Sequence, residues 1–126
     1  MTDNARNVLE AAISRGREGA LSMQTILWVF ASSTIYVPSG TEPDENMTNF
    51  QPVLFERGGT QMVACYSDLD RGDAVRDLAP FMVTMTGLRL LNGVPVDQGI
   101  VLNAGSTIGF DMAPAGIAAI RGEIGR

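Results

Sequence analysis

A chain of 126 residues has room for one hydrophobic core and fits a single domain spanning 1–126. Its net charge of −5, from 14 acids against 9 arginines, excludes a duplex-binding surface, which needs clustered positive charge to displace counterions. His and Lys are absent and Cys65 is the only cysteine, so His-based acid–base catalysis, His metal ligands, Lys Schiff bases and an internal disulfide are excluded together.

The apolar runs fall well short of a membrane span, and Met1-Thr-Asp-Asn-Ala-Arg6 shows no apolar stretch behind a basic start. A cytoplasmic protein with no membrane association is the expectation. Arginine used throughout in place of lysine points to a GC-rich bacterial genome.

Ala5, Val8, Leu9, Ala12 and Ile13 recur at helical spacing, with Thr2, Asp3 or Asn4 available as caps and Gly16 and Gly19 as the stop. A second helix starts at Ser22. Met23, Ile26, Leu27 and Phe30 form one face, and Trp28 and Val29 make the other apolar, which predicts burial on several sides. Thr34–Val37 reads as a strand ended by Pro38, and residues 39–49 as an exposed acidic loop whose Asn46-Met47-Thr48 sequon carries no weight in a cytoplasmic chain. Pro52–Glu56 and Thr60–Tyr66 flank Arg57-Gly58-Gly59, a hairpin signal. Ser67 with Asp70 forms a capping-box pattern for a short helix reaching Leu78 or Ala79. A strand over Phe81–Thr86, a helical turn over Leu88–Asn92, a loop over Pro95–Gln98, a strand over Ile100–Leu102 and a helix from Pro114 complete the order. Ile108 and Phe110 lie in an apolar stretch between that last strand and helix. The predicted fold class is α+β: helices packed against a mixed, mostly antiparallel sheet, with the Thr34 and Ile100 strands central.

No stretch carries a catalytic constellation. Asp68-Leu-Asp70-Arg-Gly72-Asp73 opens like a calcium loop, but Gly72 takes a ligand position and Ala79 stands where a bidentate Glu is needed, so no metal is expected. Arg71-Gly72-Asp73 in a helical context is a chance tripeptide. Asn103-Ala-Gly-Ser-Thr107 resembles a phosphate loop without the required Lys, and Ser106 has no His to activate it. Asn103, Gly105 and Ser106 are therefore read as a structural turn, with Asn103 bonding local backbone. Cys65 is a buried thiol, and the seven Met are core filler.

Several of these segments resemble the SseB protein N-terminal domain family. They are the helix and strand Gln24–Pro38, the hairpin Pro52–Tyr66 with Ser67-Asp68-Leu69, the run Gly99-Ile-Val-Leu-Asn103-Ala-Gly105-Ser106, and Pro114–Ile120. The resemblance covers residues 20–121, leaving 1–19 as an N-terminal helix. Ala104 replaces the family's usual Pro, and Cys65-Tyr66 its Phe-Thr. The resemblance implies a bacterial domain associated with serine sensitivity, sometimes labelled secretion-related, with no established enzymatic activity and no catalytic residues to carry over.

The expectation is a non-enzymatic protein-interaction or regulatory domain that needs no cofactor. The alternatives are a toxin-neutralising immunity protein or secretion chaperone and, from another class, a carboxylate-based hydrolase or small-molecule-responsive protein. Glu42, Asp44 and Glu45 in one loop, with Asp70, Asp73 and Asp77 along one short helix, are the candidate partner-binding residues, suited to a basic protein partner. Homo-oligomerisation is left open.

Overall fold

The computed structural model describes residues 5–42, 44 and 50–124. Helix α1 spans Val8–Arg17 and α2 spans Met23–Ser32; Asn7 and Ser22 open them by accepting the backbone N–H groups of Glu10 and Thr25. These contacts satisfy donors that a helix start leaves unpaired. Thr2, Asp3 and Asn4 lie outside the described residues, and Ala5 precedes the first turn. Gly19, at φ +80°, ends α1 with the Ala20 N–H returning to the Arg15 carbonyl. Helix α2 is less buried than its composition predicts. It packs Ile26, Phe30 and Ala31 inward between α1 and α3, while Trp28 and Met23 on its outer face stay about half exposed (45% and 55%).

Among the described residues six strands follow: β1 (Thr34–Ser39), β2 (Leu54–Arg57), β3 (Thr60–Cys65), β4 (Phe81–Thr86), β5 (Gly99–Leu102) and β6 (Phe110–Met112). A 3-10 helix (Leu69–Val75) precedes β4, α3 spans Gly87–Gly93, and α4 closes the chain over Pro114–Ile124. Strand β6 adds an element to the predicted order. The 3-10 helix stops at Val75, short of the expected Leu78, and its cap is Asp68 accepting the Asp70 N–H. Ser67 is drawn away from capping because its hydroxyl is committed to Glu10 in the interior.

The strands form a two-stranded sheet, β1-β4, and a four-stranded sheet, β2-β3-β5-β6. Every pairing is antiparallel except β3 with β5. Strand β5 is central, as expected. Strand β1 lies in the smaller sheet but is tied to the larger one by the reciprocal bonds of Tyr36 with Tyr66 and by the Val53 N–H to the Pro38 carbonyl. Pro38 does not end β1: a proline lacks only the donor, and here its carbonyl is the group in use.

All four residues of β5 are buried because its sheet is covered on both faces. On one side, Val63, Cys65, Ile100 and Leu102 meet Leu9 and Ile13 of α1, Phe30 of α2, and Ile117 and Ile120 of α4. On the other, Met62, Ala64 and Val101 pack with Tyr66 and Val75. The two sets alternate along β3 and β5, as the period of a strand requires. Among the described residues no helix is long and apolar enough to cross a membrane.

Candidate functional site

The turn after β5 is locked from inside. Asn103 is 1% exposed and sits at φ +53°, a left-handed conformation that Asn tolerates better than most residues. Its amide donates to the Ser67 hydroxyl and the Ile108 carbonyl, both at 2.7 Å, and its Oδ1 accepts the Ser67 N–H at 3.0 Å. These bonds reach beyond the local backbone contacts expected of a turn residue, joining β5 to the end of β3. Gly105 (φ +81°) and Ser106, whose hydroxyl accepts the Ile108 N–H at 3.0 Å, complete the turn.

The network continues to Glu10, which is fully buried on the inner face of α1. Glu10 accepts the Ser67 hydroxyl at 2.5 Å, the Arg6 N–H at 2.9 Å and the Arg71 guanidinium through both carboxylate oxygens, at 2.8 and 2.7 Å. Burial works to raise the Glu10 pKa; the bonds from Arg71, Ser67 and Arg6, with the Arg71 charge, outweigh it and hold the carboxyl below its ordinary range. Asn7 adds a bond to the Ser67 carbonyl at 2.7 Å. Sequence reading passed over Glu10. The available signal was its place three residues after a cap at Asn7, the spacing of a capping box.

This cluster is saturated, and no buried side-chain polar atom among the described residues lacks a partner. It holds α1, the 3-10 helix and β5 together and offers nothing to a substrate. Arg71 of the Arg71-Gly72-Asp73 tripeptide is spent on Glu10, and Gly72 is buried against Met82 and Tyr66.

The acidic candidates are spread over the surface. Glu42 and Asp44 are exposed, and Glu45, like the Asn46-Met47-Thr48 sequon, lies outside the described residues. Asp70 is 3.9 Å from Arg6, which also pairs with Asp68 at 3.1 Å, and Asp73 pairs with Arg76 at 2.5 Å. Asp77 is exposed beyond the end of the 3-10 helix. Arginines thus offset part of the acidity of this segment. Among the described residues no three His, Cys, Asp or Glu side chains come close enough to hold a metal ion. Cys65 is fully buried, its Sγ 3.6 Å from the Val101 carbonyl, and burial pushes its thiol far above the ordinary range.

A groove of about 430 Å³ lies between β2 and α3, within the size range of ligand clefts. Phe50, Leu54 and Val63 line one side; Leu90, Val94 and Arg89 line the other. Thr86 starts α3 by accepting the Arg89 backbone N–H, and the exposed Arg89 side chain lines the groove. Leu54 is 42% exposed although it belongs to a strand with an apolar partner, Val63. Gly93 also lines the groove, and a Cβ added there meets no atom within 4 Å. No sequence motif marks this site, because its residues come from four separate segments.

No curated protein and no solved structure matches the chain. The family model of the SseB protein N-terminal domain matches residues 9–119, most of the chain, and its match starts within α1. The chain is therefore a member of the SseB protein N-terminal domain family.

Proposed function

We propose that this is a non-catalytic interaction domain that docks a segment of a protein partner in the groove between β2 and α3. The observation that carries the reading is the groove itself: an apolar cleft of ligand-binding size with exposed Leu54 and Arg89 at its walls. Elsewhere the buried chemistry-bearing groups are committed. Glu10, Ser67 and Asn103 saturate one another, Cys65 is a deeply buried thiol, and the chain has no His or Lys to serve as a base. A cleft lined this way gains free energy by excluding water from apolar surface, at about 25 cal/mol per Å². The lone buried thiol suits a reducing compartment, and we place the domain in the bacterial cytoplasm.

The test compares the immobilised wild-type chain with Gly93→Phe, which adds bulk where there is room for it. After thermal melts show both to be folded, the wild type should retain a protein from native lysate that the variant loses. Equal retention by both would remove the groove from the interaction.

A further inference from the structure

We propose that the occupant of this groove is an acidic, apolar peptide segment of the partner: apolar side chains against Leu54, Val63, Leu90 and Val94, and an adjacent carboxylate on Arg89. The inference rests on the reading of the groove as the docking site. It starts from where the arginines go. Arg6 pairs with Asp68, Arg57 with Asp111, Arg71 with Glu10 and Arg76 with Asp73. Arg17 donates to the Gly109 carbonyl, and Arg121 to the carbonyls of Leu91 and Val94. Among the described residues the Arg89 guanidinium has no hydrogen bond or ion pair, a condition it shares with Arg15 in the last turn of α1.

Among the described residues Arg89 is also the only charged one lining the groove, so their side chains give the cleft a charge of +1 in a chain of net charge −5. A partner segment with basic residues would meet like charge at the cleft. One with a carboxylate beside apolar side chains finds a planar donor fork that can take both its oxygens. The apolar walls supply area and the guanidinium supplies register and selectivity, because an ion pair at the edge of a desolvated cleft is less screened than one on open surface.

The experiment selects displayed dodecapeptides on the full chain, discards those that also bind Gly93→Phe, and measures a synthetic copy of the most enriched sequence by fluorescence anisotropy. The expected peptides place Asp or Glu beside Leu, Ile or Phe. Arg89→Glu should weaken the peptide about tenfold or more, equivalent to 1.4 kcal/mol. A peptide with Lys in place of its acid should regain affinity for Arg89→Glu but not for the wild type. Leu54→Gln, at a half-exposed position, gives a second groove variant should Gly93→Phe fail to fold. Enriched peptides without an acid, or binding indifferent to Arg89→Glu, would overturn the inference and leave the docking groove standing. No peptide sensitive to the groove variants would overturn both. Decanoate displacing the peptide as well as an acidic peptide does would replace the proposed occupant with a free amphiphile.

Discussion

Replacing Asn103 separates two contributions that the turn after β5 combines. In Asn103→Ala the Ser67 N–H and the Ile108 carbonyl lose their partner inside the protein. Each stranded buried group costs about 1–3 kcal/mol. The new alanine must also hold φ near +53°, which costs about a further 1–2 kcal/mol. The expected loss is about 3–8 kcal/mol, a large share of the ~5–15 kcal/mol typical of a folded domain. Asn103→Gly strands the same groups without the backbone strain, so it should be the more stable of the two by about 1–2 kcal/mol. Urea unfolding followed by circular dichroism measures both, provided the denaturant slope stays unchanged. The reasoning fails if Asn103→Ala lies within about 0.5 kcal/mol of wild type, or if glycine proves worse than alanine.

Glu10 is held below its ordinary pKa, so its ionised form adds stability above the unfolded carboxylate pKa, near 4.3, that is lost as pH falls through the folded value. Melting temperature should therefore fall more steeply below pH ~4.5 in wild type than in Glu10→Gln, which should itself cost about 3–5 kcal/mol at neutral pH by stripping Arg71 of its charge partner. Native Cys65 should resist alkylation by iodoacetamide and react only as urea unfolds the chain, since the thiol is fully buried; labelling of the folded protein at the rate of a free thiol would contradict its placement. Gly87→Ala drives a Cβ into the Phe30 carbonyl oxygen, a backbone atom, and should lower stability by about 1–3 kcal/mol in the same urea assay. Changing Glu42, Asp44 and Glu45 to Gln, Asn and Gln should leave groove-dependent partner retention intact; loss of the partner would move the interaction to the acidic loop.

The strands were legible where local chemistry and tertiary environment agree. Phe81–Thr86 is β4 from end to end, and Pro114 opens α4, because β-branched and apolar residues suit a strand and a proline fits the first turn of a helix. The misses have tertiary causes. Pro38 stays within β1 because the neighbouring Val53 needs its carbonyl, and Ser67 leaves its cap to Asp68 because Glu10 lies 57 residues upstream. The trio Asn103, Gly105 and Ser106 was readable as a turn from composition, but its attachment to Ser67 and Glu10 was not, since no periodicity links α1 to β5. The groove was invisible for a related reason. Leu54 and Leu90 look like ordinary core residues, and Arg89 differs from its fellow arginines only in what the fold leaves near it.

The parallel pairing of β3 with β5 also bears on how the domain reaches its native state. Thirty-three residues (66–98), containing the 3-10 helix, β4 and α3, must be spanned before Val63 can meet Ile100. Until Gly99–Leu102 arrives, the inner faces of α1 and α2 have no central strand to cover them. Loop closure over such a distance costs entropy before any contact repays it, and long-range pairings of this kind slow folding. On the ribosome, at about 5–20 residues per second, the apolar helices emerge seconds ahead of the strand that shelters them. Assembly should therefore be a late, concerted event, and a chain stalled before Leu102 should expose Phe30, Ile35 and Val37 and be prone to aggregate.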